Sequence, residues 1–123
     1  MAYSTYSILH VIGLVLMSMA LGGIIAHMAN GGTKQTNSWR KVLGITHGVG
    51  LFLSLLGGFG MLAKLSIHWP WPLWIVIKFA VWLALGAAPA LIYRQKISPL
   101  VSLLAVSLIA LIAIIAVNLK LVL

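Results

Sequence analysis

The sequence predicts an all-α integral membrane protein, an up-down bundle of four transmembrane helices in a single domain (residues 1–123), and three observations lead there. Of its 123 residues 63% are hydrophobic and only 7% are charged, whereas a soluble domain carries about a quarter charged residues. The apolar residues gather into four runs of ~20 residues or slightly more, enough to cross a ~30 Å hydrocarbon core. The joints between the runs are short, which forces sequential, antiparallel neighbours.

The first span runs from about Tyr6 to Met28. No positive residue precedes it and its apolar run is too long for a signal peptide, so it reads as a membrane helix. A polar, Gly-containing loop follows from Ala29 to Ser38, and Trp39, Arg40 and Lys41 then stand where an interfacial anchor belongs. The second span covers about Val42 to Leu65. His68-Trp69-Pro70-Trp71-Pro72 forms a rigid aromatic turn, with Pro72 suited to the first turn of the next helix. The third span covers about Leu73 to Tyr93, and Pro89 is placed to kink it near its end. Arg94-Gln95-Lys96 closes it; Ser98 is positioned to cap the fourth helix and Pro99 to open its first turn. That fourth span ends at about Leu121, and Ser102, Ser107 and Asn118 are its polar features, which suits lipid contact, packing or assembly.

Charge sets the orientation. Loop 1–2 carries Lys34, Arg40 and Lys41 and loop 3–4 carries Arg94 and Lys96, against Lys64 and Lys120 on the opposite side. The positive-inside rule then places both loops in the cytoplasm and both termini outside. The chain has eight Lys or Arg, no Asp or Glu and no Cys. Carboxylate dyads, Ser-His-Asp triads, EF-hands, thiolate chemistry and Cys-ligated metal centres are therefore excluded. The net charge of +8 lies along and at the ends of apolar segments with no basic stripe. It reads as attraction to the headgroups of membrane lipids, not as a nucleic-acid surface.

Glycine is dense in the second span, at Gly44, Gly48, Gly50, Gly57, Gly58 and Gly60. Gly44-xxx-Gly48 and Ser54-xxx-Gly58 are small-xxx-small patterns that let helix backbones approach, either for packing or to leave room for a flat cofactor.

Four histidines and an embedded lysine are the candidate site residues. His10 lies near the outer end of the first span and His27 near its inner end; His47 lies about one and a half turns into the second span, and His68 belongs to the outer turn. Each intramembrane His suits a helix–helix hydrogen bond, and each neutral imidazole can also ligate haem iron. By helical rise His10 and His47 differ in height by ~15–20 Å, which disfavours one haem bridging them. His10 with His68, or His27 with His47, is easier in depth. Lys78 stands five residues beyond Leu73, ~7–8 Å into the hydrocarbon from the outer side. Its stem can snorkel to lipid phosphate. Alternatively it meets an anion from a cofactor, substrate, lipid or second subunit, because no side-chain carboxylate exists in the chain. At a similar depth to His10, it makes a local His10–Lys78 site.

Leu9-His10-Val11-Ile12-Gly13, then Ala20-Leu21-Gly22-Gly23 and His27, resembles the first helix of a group of small bacterial membrane proteins. The group comprises HemJ-type protoporphyrinogen oxidases, SirB-like proteins and CopD-like domains. Trp74-Ile75-Val76-Ile77-Lys78-Phe79 is similar to the Trp-xxx-Lys-Leu segment of their third helix, Leu85-Gly86 to the SirB-like pattern, and His47-Gly48 is a looser match. The resemblance implies a bacterial inner-membrane location, haem b as cofactor, His10 as ligand to the haem iron and Lys78 as its polar neighbour. Where the HemJ-type first helix ends in an aromatic, Pro-Arg-containing segment, this chain has Gly22-Gly23-Ile24-Ile25-Ala26; the resemblance is thus one of architecture and does not extend to porphyrinogen oxidation.

Three functional readings follow. The first is a haem-b-binding membrane protein serving redox or tetrapyrrole chemistry, with the second axial His from this chain or from another copy in a homo-oligomer. The second is a non-enzymatic accessory subunit that completes its surface with other membrane subunits. The third, a small oligomeric transporter or channel, has against it the lack of an inverted repeat or broken-helix pair.

Overall fold

The computed structural model describes residues 2–95 and 97–119. The expected charges at Lys96 and Lys120, and the expected end of the fourth span at Leu121, lie outside these described residues. Four helices make up the fold: α1 (Tyr3–Ala29), α2 (Arg40–Lys64), α3 (Leu73–Tyr93) and α4 (Pro99–Asn118). All four are long and apolar enough to cross a membrane, and they form the expected four-helix bundle of a multi-pass membrane protein.

The helix ends follow local chemistry. α1 closes at Asn30, whose side-chain amide donates to the Ala26 carbonyl at 2.8 Å. Gly31 then reverses the chain at φ +82°, a conformation that a Cβ would strain. α2 starts at Arg40, two residues before the expected Val42, because the Asn37 Oδ1 accepts the Trp39 N–H at 3.0 Å and fixes the entry turn. Pro72 sits just outside α3 as its cap residue, not within its first turn. Ser98 caps α4 as its sequence position predicts, Oγ accepting the Val101 N–H at 3.2 Å, with Pro99 at the first helical position.

α1 is the central element and touches all three other helices, most extensively α2. The core is formed by Met17, Leu21, Ile24 and Met28 from α1 with Leu85, Ala88 and Ile92 from α3. Leu43 and Leu51 of α2 and Val106 and Ile109 of α4 pack around it. Large apolar side chains on the outer surface, among them Ile8, Met19, Phe52, Leu83 and Leu108, stay exposed, as lipid-facing positions do.

The α1–α2 contact is backbone on backbone. A methyl carbon at Gly50 would lie 2.7 Å from the Gly13 carbonyl oxygen and 2.8 Å from the Met17 nitrogen; at Gly57 it would lie 2.8 Å from the His10 Cα. Ser54, 1% exposed, lies between them on the same face. The close approach is therefore made by Gly50, Ser54 and Gly57 against Gly13 and His10. The Gly44-xxx-Gly48 pair, expected to do this, points elsewhere: a methyl carbon at either position would meet nothing within 4 Å. Those two glycines lie on faces of α2 turned away from α1.

α2 and α3 touch far less, and one of the bonds between them depends on a proline. Pro89 lies inside α3 and has no N–H, so it cannot donate to the carbonyl of Leu85 one turn before it. The buried His47 of α2 donates its Nε2–H to that carbonyl at 3.0 Å. α3 runs on through Pro89 to Tyr93, with the freed acceptor satisfied from the neighbouring helix.

Candidate functional site

His10 of α1 and Trp82 of α3 converge on Ser54 of α2. His10 Nδ1 donates to the Ser54 carbonyl oxygen at 2.7 Å. A carbonyl oxygen only accepts, so in the neutral ring the proton sits on Nδ1 and the lone pair on Nε2. A ligating imidazole can have its second nitrogen oriented by a backbone carbonyl in this way, although His27 and His47 also bond carbonyls. The Ser54 hydroxyl donates to the Leu51 carbonyl at 3.0 Å. The indole N–H of Trp82, on α3, points at the same pair, 3.1 Å from the Leu51 carbonyl and 3.2 Å from Ser54 Oγ. α1, α2 and α3 are thus joined through one residue.

Lys78, partly buried and one turn before Trp82 on α3, lies close enough to His10 for its charge to act on the imidazole. Through Ser54 and Trp82, His10 and Lys78 fall in the same half of the bundle. An aromatic chain leads from the α2–α3 turn to this point. Trp69 meets Trp71 edge-on at 5.5 Å between centroids, Trp71 meets Phe79 at 5.9 Å, and Phe79 stacks on Trp82 at 5.8 Å and 19°. Phe59 of α2 joins at Trp71, 5.8 Å away. Flat apolar walls, an oriented imidazole and a cation therefore occupy one region.

The remaining histidines are placed differently. His27 Nε2 is directed at the Thr33 carbonyl at 2.8 Å and lies 3.2 Å from Thr36 Oγ1, so its ring organises loop 1–2. His47 is the α2–α3 clamp described above. His68 is exposed in the turn between α2 and α3. His27 and His47 each have Nε2 engaged with a different carbonyl. His10 stands level with Ser54 to Gly57, seven to ten residues beyond His47 on α2, a height difference of ~10–15 Å. The separation is somewhat below the ~15–20 Å expected, because α1 starts three residues earlier than its apolar run suggests, and it still keeps the two imidazoles at different levels.

Among the described residues, no group of three or more His, Cys, Asp or Glu side chains could hold a metal ion. Were haem held here, His10 Nε2 would be the atom offered to iron, Lys78 the cation for a carboxylate, and Trp71, Phe79 and Trp82 the aromatic surface for the macrocycle. Ser54 and Trp82 are the site residues that sequence reasoning missed. Ser54 entered it only as one half of a small-residue pattern, and Trp82 as one apolar residue among many. The signal that could have found Trp82 is its spacing four residues after Lys78, which puts both on one face of α3.

Comparison with protein-family models, with curated proteins and with solved structures finds no match for this chain.

Proposed function

We propose that this chain is a haem-b-binding membrane protein serving redox or tetrapyrrole chemistry, with its site in the half of the bundle that holds the start of α1. The observation that carries this reading is the 2.7 Å hydrogen bond from His10 Nδ1 to the Ser54 carbonyl, which leaves Nε2 as the ligating atom. When bound, haem supplies the electron-transfer chemistry; the chain supplies the setting. Ser54 holds the imidazole plane, and Gly57 leaves no side chain between α2 and the His10 backbone. Lys78 supplies a cation for propionate or for an anionic substrate. The aromatic side chains from Trp71 to Trp82 exclude water, which strengthens each of these electrostatic contacts. The resemblance of its first and third helices places the protein in a bacterial inner membrane, and its basic loops place loops 1–2 and 3–4 inside and the termini outside.

A second reading, the accessory subunit, has its own support. Gly44 and Gly48 lie on open faces of α2, where close approach by a helix of another subunit costs no rearrangement.

One experiment separates the two. The protein is purified in mild detergent from cells supplied with a haem precursor, and its absorption spectrum is recorded oxidised and reduced. A Soret band with reducible α and β bands, lost in His10→Ala and kept in His27→Ala, supports the haem reading. A colourless protein that co-purifies with stoichiometric partners removes it in favour of the accessory role.

A further inference from the structure

We infer that the end of the bundle opposite the His10 site holds a built site for one anionic phospholipid, headgroup at loops 1–2 and 3–4 and one acyl chain between α3 and α4. Two cavities make up the site. The first, about 360 Å³, is lined by Met28, Gly31, Gly32, Ile92, Gln95 and Ser98. Its size falls within the ~300–1,000 Å³ range of small-molecule sites. The second, about 150 Å³, lies between the helices and is lined by apolar side chains and one hydroxyl, including Ala84, Ala88, Ile92, Ser102, Ala105 and Ile109. Ile92 and Ile97 line both, so a mixed polar and apolar chamber at the helix ends continues into an apolar groove directed along the helices. That succession of surfaces matches a headgroup followed by a length of acyl chain.

Ser102 supplies the independent sign of a ligand. It is 2% exposed, and its Oγ has no hydrogen-bond partner among the described residues. Other helical hydroxyls of this chain turn back to the carbonyl one turn earlier, Ser18 to Leu14, Thr46 to Val42 and Ser107 to Leu103, each at 2.8 Å. Ser102 borders the groove, and its hydroxyl makes no such bond. A buried unsatisfied hydroxyl carries a desolvation cost of ~1–3 kcal/mol, which an acceptor in the groove relieves. Ser102 lies one turn, ~6 Å, below Ser98. A glycerolipid whose phosphate sits at the start of α4 places its ester carbonyls about one glycerol unit deeper, at the level of Ser102.

Charge selects the headgroup. The start of α4 carries the positive end of the helix dipole. Lys34, held with Nζ 5.9 Å from the centre of the Tyr93 ring, and Arg94 follow or adjoin lining residues in the chain, and Arg40 and Lys41 begin α2 at the same end. The chain has no Asp or Glu side chain to compete for these cations. Basic pockets between transmembrane helices are the usual seats of anionic headgroups.

Native mass spectrometry on the full-length protein tests the site. The protein is released from mixed micelles containing equal amounts of phosphatidylglycerol and phosphatidylcholine with identical acyl chains, and the retained lipid is counted. The expected result is one phosphatidylglycerol retained several-fold over phosphatidylcholine. Ala105→Leu, which fills the groove, lowers retention of both lipids several-fold, and Ser102→Ala lowers it while leaving the headgroup preference. Lys34→Gln with Arg94→Gln, both on the surface, abolishes the preference. Equal retention of the two lipids by the unmodified protein, or unchanged preference in the double charge variant, overturns the inference. Should Ala105→Leu lose its helical circular dichroism, the double charge variant still decides. None of these readouts depends on haem.

Discussion

His47 on α2 donates to the carbonyl of Leu85 on α3 at 3.0 Å, and Leu85 is the residue that Pro89, four positions later, leaves without an intrahelical donor. A local break in one helix has become the hydrogen-bonding site of another. Because α2 and α3 touch little elsewhere, this bond and that of Trp82 to Ser54 and Leu51 tie the two helices.

The break and the clamp are therefore energetically coupled. His47→Ala is expected to cost ~1–2 kcal/mol in reversible unfolding from detergent, since it orphans a carbonyl away from water. In a Pro89→Ala background the helix supplies its own N–H, and the same substitution should cost less by ~0.5–1 kcal/mol. Equal costs in the two backgrounds would show that His47 acts through packing alone.

Close packing of α1 on α2 predicts opposite behaviour for glycines of the same helix. Gly50→Ala and Gly57→Ala push a methyl group into the backbone of α1 and should destabilise by ~1–3 kcal/mol. Gly44→Ala and Gly48→Ala meet open space and should be neutral or stabilising by up to ~1 kcal/mol through helix propensity. Thermal melting monitored by circular dichroism distinguishes the two groups, and a loss of stability in Gly44→Ala would contradict the assigned faces.

Trp82→Phe keeps most of the aromatic surface but removes the indole N–H. We expect a loss of ~1 kcal/mol in stability. If His10 carries haem, the Soret band should persist at shifted position or intensity, because His10 is oriented by the Ser54 backbone and not by its hydroxyl. Loss of all haem in Trp82→Phe with the fold intact would mean that the indole holds the group directly.

Lys78→Met retains the stem and deletes the charge. Under the haem reading it should weaken haem retention and lower the midpoint potential, since a nearby cation favours the reduced, less positive iron. A redox titration of the variant with unchanged potential would separate Lys78 from the cofactor and leave it as a lipid-facing residue.

Much of this fold is legible in the sequence because lipid imposes one strong rule: ~20 apolar residues make a crossing. Leu73–Tyr93 is placed to the residue, and Ser98 and Pro99 mark the start of α4. The ends of α1 and α2 are less legible. Tyr3–Thr5 and Arg40–Lys41 join their helices through backbone hydrogen bonds that hydropathy does not register. Within the site, depth alone brings His10 and Lys78 together. Facing is harder to read, because a helix that is apolar all round presents no amphipathic stripe to point inward. Spacing therefore singles out Gly44 and Gly48, while the face toward α1 is carried by Gly50, Ser54 and Gly57. The roles of Ser54, Trp82 and His47 rest on the register between helices, which no single segment records.

The dense seam between α1 and α2 also bears on biogenesis. These two helices precede α3 and α4 in the chain and need only each other to close their interface, so the hairpin can assemble before α3 is synthesised. At that stage His10 already has its carbonyl partner on Ser54, while Lys78 and Trp82 are still to come. Completion of the site then waits on the second hairpin, and a nascent chain arrested after Leu65 would present an oriented imidazole with an open flank. Any early-acting assembly factor would meet the protein in that half-built form.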